Sequence, residues 1–569
     1  MYKHLIIDFD DTLYDYSHCN DVAISNIFEY ITTTFKIEKC NVIKAFNIIK
    51  KKFQNNVFHQ ASSHNKCIQF KKLTEELEIP ISESIKLYDL YIEKFNDNIC
   101  LFEDVENFLI FCKEHNIFCY LLTNNICYEQ LNRLKQLNIF KYFKKIYTSE
   151  EYGIEKPDIK LFYSILQDNN IHKHEVAMIG DSYKNDIESV NLIDMYAFWL
   201  NNNKLTFNNK YCEFNDFTSL LSFFNEYYKE LNCFIKLSKY CGERYDLVQA
   251  GGGNISFKLK QFLFIKSSGS LLSDIEYNKN YVGLNRNHIV NNIPSINSIN
   301  KKVREYESKQ ICDNSVIFLK AFKPSIETTM HSLTKKYTLH IHPIQFLKIC
   351  GLVDCEEILK RHFENICFID YFTPGIDVAI ELNKKYKNEN IVFLKNHGIV
   401  ITNDDINEIY KILNDTLQKL EQIINIQFNE YKLTNYISSL MNNITSTATV
   451  SYLSHCLNGN EIYKNDIFLK PFFPDKLVYC GINILKIKNI YDEDIEEIKS
   501  YISTYNEIPK IFSYKNNIYI NSISLKKCME IEALLKCHIL SYNDANDVLN
   551  TEENNYLNNW DAEKYRKKL

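Results

Sequence analysis

Two sets of reactive side chains, far apart in this chain, each stand at the ends of short apolar runs, and that placement restricts the fold more than any other feature. His4-Leu5-Ile6-Ile7 is an apolar run closed by Asp8, and Phe118–Thr123 and Val176–Gly180 repeat the pattern beside Asn124 and Asp181. Short apolar runs bounded this way read as buried parallel strands. The stretches between them carry apolar residues at helical spacing, so strands alternate with helices and the region predicts a doubly wound, Rossmann-like α/β sheet. A second α/β region follows, with strand-like Thr338–His342 and Ile391–Lys395 next to three histidines.

At 569 residues the chain exceeds the size at which single cores stop growing. Three domains are expected: 1–228, with a helical cap inserted at about 15–98; 229–430; and 431–569, an α/β extension. A helix over roughly 215–232 closes the first. The extension has strand-like Leu477–Cys480 and Ile518–Ile520 and no catalytic cluster. The net charge of −6 leaves no basic footprint for nucleic acid. The acids at 8, 10 and 11 stand where a leader peptide needs an apolar run, and no stretch is long enough for a bilayer. Eighteen cysteines without a CxxC pair suit reduced thiols and a cytoplasmic location.

Asp8 and Asp10 lie two apart at the carboxyl end of the first strand, the edge where open α/β sheets bind ligands. An aspartate can attack phosphorus, and a second carboxylate can protonate the leaving oxygen and later activate water. Phosphate and carboxylates repel, so Mg²⁺ is required, with Asp181 completing its site and Asp186 as a further or supporting acid. Thr123 and the amide of Asn124 can hold phosphate oxygens while Lys156 neutralises charge. This ordered set resembles the haloacid dehalogenase superfamily, in its subgroup with a helical cap after the first motif. The resemblance covers roughly 1–225 and implies that Asp8 is the nucleophile and Asp10 the acid/base. It also implies that Asp8, the Asp10 carbonyl and Asp181 hold Mg²⁺.

In the second set His340 and His342, two apart in a strand, point to one face, and His397 follows another strand. Three imidazoles with an open fourth position make a catalytic Zn²⁺ pattern. Glu327 is a candidate base for a proton beside a carbonyl. Gly251-Gly252-Gly253-Asn254 lets backbone approach an anion, and Ser268-Gly269 and Ser325 can donate to phosphate oxygens. The order resembles the class II aldolase/adducin family, over roughly 230–569. That resemblance assigns His340, His342 and His397 to zinc, Glu327 to acid/base work, and Asn254, Ser268, Gly269 and Ser325 to the phosphate pocket. It assigns Tyr371 to protonation from a neighbouring subunit, which implies a homotetramer. One departure from the fuculose-phosphate aldolase pattern stands out, and the tail points to longer family members. Ile326 replaces a serine, and Phe473-Pro474-Asp475 with the closing Asn559–Arg566 resembles longer, rhamnulose-phosphate-aldolase-like members. His331 reads as a packed histidine.

The expected function is therefore bifunctional: Mg²⁺-dependent phosphomonoester hydrolysis, plus zinc-dependent aldol cleavage or condensation on a small sugar phosphate. The alternatives are a phosphatase fused to a non-catalytic adducin-like oligomerisation module, or a second half that dehydrates, epimerises or decarboxylates. Neither nucleic acid nor membrane is an expected partner.

Overall fold

The computed structural model describes residues 2–56, 60–201, 209–440, 447–450, 470–488, 496–514, 517–541, 548–550 and 552. The chain divides into two compact units. One comprises Met1–Lys229, Val282–Asn287 and Asp313–Lys323; the other Glu230–Tyr281, His288–Cys312 and Pro324–Leu569.

The first unit is built on a six-stranded sheet. Its order is Phe143–Thr148, Phe118–Thr123, His4–Ile7, Val176–Gly180, Tyr196–Leu200 and Tyr211–Phe214. Every pairing is parallel. Leu5, Ile6 and Ile7 have no exposed surface, which explains why this strand is apolar on both faces. The strand order reverses beside His4–Ile7, and the carboxyl ends of the strands flanking that point deliver Asp8, Thr123 and Asp181 to one edge.

Four helices form the cap between the first two strands: Tyr16–Phe35, Lys39–Asn56, Lys66–Glu76 and Glu83–Asn96. Their starts are written locally. Asp15 accepts from the His18 amide at 2.7 Å, and Asn65 from the Ile68 amide at 3.0 Å. Ile27, Ile31, Phe70, Leu73, Leu87 and Tyr91 are buried, giving the cap its own apolar centre.

In the second unit the strands run Phe262–Lys266, Asn254–Leu259, Tyr337–Ile341, Gly398–Asn403, Ile391–Leu394 and Ile366–Ile369 in spatial order. Neighbours are antiparallel except the last pair. The helix Ile406–Ile424 buries Ile409, Leu413, Leu417 and Leu420. A separate sheet, Thr447–Val450, Asn517–Ser522, Ile511–Tyr514 and Leu485–Ile487, carries the later residues.

Three local expectations change. The helix placed at 215–232 runs Phe217–Gly242, because buried Phe234, Leu237 and Cys241 extend the apolar spacing. Leu477–Cys480 belongs to the helix Pro474–Cys480, not a strand: proline fixes the first helical position, and a short apolar run does not distinguish the two conformations. The strand carrying His340 ends at Ile341, so His342 lies just past it. The closing Asn559–Arg566 lies outside the described residues.

Candidate active sites

In the first unit Asp8 follows the central strand, its amide donating to the Ile179 carbonyl at 2.9 Å. Lys156 Nζ lies 2.6 Å from Asp8 Oδ1 and 2.6 Å from Asp186 Oδ1, with all three residues buried. Burial pushes both carboxyls upward and Lys156 opposes it, while the two acids raise the lysine in turn. Asp181 is lifted to about 6, by burial first and then by Asp8. One ligand oxygen from each of Asp8, Asp181 and Asp186 falls within 4.8 Å of the others. That excess of buried negative charge fits a divalent cation. The Asp186 oxygens already have partners, Lys156 on one and the Ser182 amide at 3.1 Å on the other. Gly180 makes this close approach possible, since a Cβ there would sit 2.4 Å from Asp186 Oδ2.

Thr12 donates to Asp181 at 2.9 Å. Asn124 spends its side chain on Lys156, donating to its carbonyl and accepting from its amide, both at 2.8 Å. Its main-chain N–H is what remains for an anion. A cavity of about 320 Å³ joins Asp8, Asp10, Thr123, Asn124, Lys156 and Asp181. His64, from the cap, also lines it and sits 3.1 Å from Glu155. Sequence reasoning missed His64, Asn125 and Gln130. The last two follow Thr123 within one short segment, and no local signal sets Gln130 apart from the other polar residues of its helix.

In the second unit the register His340↔Asn254 places the central strand's histidine beside the end of the glycine-rich loop. His340 and His342 Nε2 atoms are 2.9 Å apart, and ring centroids of His397 lie 4.7 and 5.1 Å from His340 and His342. One nitrogen from each falls within 4.8 Å of the others. Burial drives all three toward the neutral form, His397 to about 3, and neutral imidazole is what a metal binds. The donor set therefore fits a divalent metal. His397 sits in a tight turn after Ile391–Leu394, with Asn396 left-handed at φ 54°. Gly398 is required there: a Cβ would lie 2.4 Å from the Ile341 carbonyl and 2.7 Å from the His342 ring.

Glu327 Oε1 approaches His340 at 3.3 Å and His397 at 3.7 Å. Asn254 Nδ2 donates to Glu327 Oε2 at 3.1 Å and to Ser325 at 2.7 Å, so these three sit together. Ser268 is exposed, and Gly269 is left-handed at φ 80°. Buried Lys266, which sequence reasoning missed, donates to the Ser270 carbonyl at 2.8 Å and the Gly251 carbonyl at 3.4 Å, placing a cation between both loops. Ile326 is 66% and Tyr371 57% exposed. Neither is drawn into the histidine cluster. His331 is packed as expected, its Nδ1 2.8 Å from Ser256 Oγ.

Residues 5–198 match the family model described as haloacid dehalogenase-like hydrolase, and 234–423 match that of the class II aldolase and adducin N-terminal domain. Over the first region the chain is 24% identical to a ribulose-1,5-bisphosphate 5-phosphatase of Halopiger xanaduensis, covering 34% of this chain and 81% of that protein. It is 27% identical to a pyrimidine 5′-nucleotidase of Streptococcus pneumoniae, covering 35% and 84%. Elsewhere it is 27% identical to an L-fuculose phosphate aldolase of Methanococcus maripaludis, covering 34% and 94%. Among the described residues, no helix is long and apolar enough to cross a membrane.

Proposed function

We propose that this chain, which joins a haloacid dehalogenase-like hydrolase to a class II aldolase-type domain, is a bifunctional enzyme of phosphorylated carbohydrates. The first unit hydrolyses a phosphomonoester. The second breaks or forms a carbon–carbon bond beside a carbonyl. The observation carrying this reading is that each unit gathers a reactive cluster: Asp8, Asp181 and Lys156 in one, and three histidines with Glu327 beside two of them in the other. A phosphatase and an aldolase of sugar phosphates among the relatives support the substrate class.

In the first reaction Asp8 Oδ2 attacks phosphorus, since Oδ1 is held by Lys156. The ester P–O bond breaks as an acyl phosphate forms on Asp8. Asp10 gives its proton to the departing oxygen, then takes one from the water that releases phosphate. Thr123, the Asn124 N–H and Lys156 hold the phosphate oxygens. Asp8, Asp181 and the Asp10 carbonyl would hold a divalent cation, Mg²⁺, which would supply further charge neutralisation, and Asp186 keeps Lys156 in place.

In the second reaction Asn254 fixes Glu327 Oε2, leaving Oε1 to remove or return the proton beside the carbonyl. His340, His342 and His397 would hold Zn²⁺, which would supply Lewis-acid polarisation. Ser325, Ser268, the Gly269 backbone and Lys266 receive the phosphate, while Asn254, both of whose amide hydrogens are spent on Ser325 and Glu327, orients Ser325. Tyr371, half exposed here, donates its proton to the site of a neighbouring copy in a cytoplasmic homotetramer.

The test is a phosphate-release screen over sugar phosphates and nucleotides with Mg²⁺, run beside the Asp8→Asn chain, together with zinc analysis and aldehyde detection. Release that survives Asp8→Asn sinks the first half. A chain that holds no zinc and yields no aldehyde leaves the second half a binding module.

A further inference from the structure

Beneath the phosphatase site runs a buried hydrogen-bond relay whose centre, Gln130, belongs to none of the motifs. Gln130 has no exposed surface and lies on the helix Cys127–Leu137. Its Nε2 donates to Asp10 Oδ2 at 2.8 Å and to Thr123 Oγ1 at 2.7 Å. Its Oε1 accepts from Arg133 at 2.9 Å. Arginine only donates, so the atom facing it is the amide oxygen, and both amide hydrogens are thereby committed to Asp10 and Thr123. Arg133 is itself immobilised. It is 2% exposed, bonded to Glu129 at 3.0 Å, and stacked 5.1 and 4.5 Å from the Tyr16 and Phe95 rings.

The relay acts on two groups at once. Thr123 Oγ1 accepts from Gln130, so its own hydrogen is free, and Thr123 lines the cavity where an anion would sit. Asp10 Oδ2 is shared by Gln130 and by Asn125 at 3.2 Å, while Tyr14 donates to Oδ1 at 2.5 Å. The carboxylate is pinned at the cavity wall instead of turning with the solvent.

We propose that Gln130, oriented by Arg133, is a positioning residue that aims the Thr123 hydroxyl at the phosphate and sets Asp10 for proton delivery. The proposal rests on the phosphatase reading. It predicts a leaving-group effect that a purely structural residue does not have. A phenolate departs without a proton, whereas an alkoxide needs one from Asp10.

The experiment measures kcat/KM of the full chain with Mg²⁺ for p-nitrophenyl phosphate and p-nitrobenzyl phosphate. Gln130→Met should lower the first about 10-fold, through the misaimed threonine, and the second about 100-fold or more, within the range general acid catalysis spans. Gln130→Glu keeps the Arg133 contact but turns an oxygen toward Asp10 and Thr123, and should show the same split. Thermal unfolding of both variants is followed in parallel. Equal loss on the two esters in both variants, from unfolding or any other structural cause, overturns the proposal, as do wild-type rates. A wild-type chain that hydrolyses neither ester overturns the phosphatase reading itself.

Discussion

Replacing Lys156 by methionine removes the one cation shared by two buried carboxylates. Lys156 is 3% exposed, Asp8 7% and Asp186 0%, and both contacts are 2.6 Å. Removing one partner of a buried ion pair costs about 3–5 kcal/mol, because an uncompensated charge remains. Here the carboxyls have an escape, since either can take up a proton. Burial already raises both above the ordinary value of 3.8, and losing Lys156 raises them further. A carboxyl raised in the folded state contributes stability below its unfolded pKa and loses it as pH rises through the folded one. The deficit of Lys156→Met should therefore be about 4 kcal/mol at pH 8 and less than half that at pH 5. Trp199, whose indole donates to the Asp181 carbonyl at 2.8 Å, reports on this unit, and the other tryptophan is Trp560. Urea unfolding followed by Trp199 fluorescence in a Trp560→Phe background gives the number. A deficit under about 1 kcal/mol at pH 8, or one equal at both pH values, would mean that Lys156 does not compensate the buried carboxylates.

Two further outcomes follow from other parts of the chain. Gly398→Ala drives a methyl into the Ile341 carbonyl and the His342 ring, so zinc retained after dialysis should fall at least 10-fold while phosphate release persists; full zinc content contradicts this. Burial lifts Glu243 from 4.5 to about 7, so its stability contribution is present near pH 4 and lost above pH 7. Glu243→Gln should exceed the wild type by about 1–3 kcal/mol at pH 8 and not at pH 4.5; parallel pH profiles would exclude it.

The groups gathered in the two clusters were legible because their placement is written locally. Asp8 follows an apolar run, His340 lies within another with His342 just past it, and His397 follows a third, so strands and their ends deliver these side chains to the clusters. What the sequence hid depends on contacts between distant segments. Gln130 and Arg133 look like ordinary polar residues of an amphipathic helix until the fold brings Asp10 against them. Lys266 reads as the charged end of a strand, yet its amine is buried between two loops. His64 depends on where the cap settles over the sheet edge. Leu477–Cys480 failed for a different reason: a short apolar run suits either conformation, and Pro474 decided for helix.

Two separable chemistries on one chain are what the proposed function requires. Its most direct test assays phosphate release and aldehyde formation in Asp8→Asn and His340→Ala side by side. Each substitution should abolish one activity and leave the other within about twofold of the wild type, because neither removes a group from the other reactive set. Loss of both activities in either protein would contradict the account.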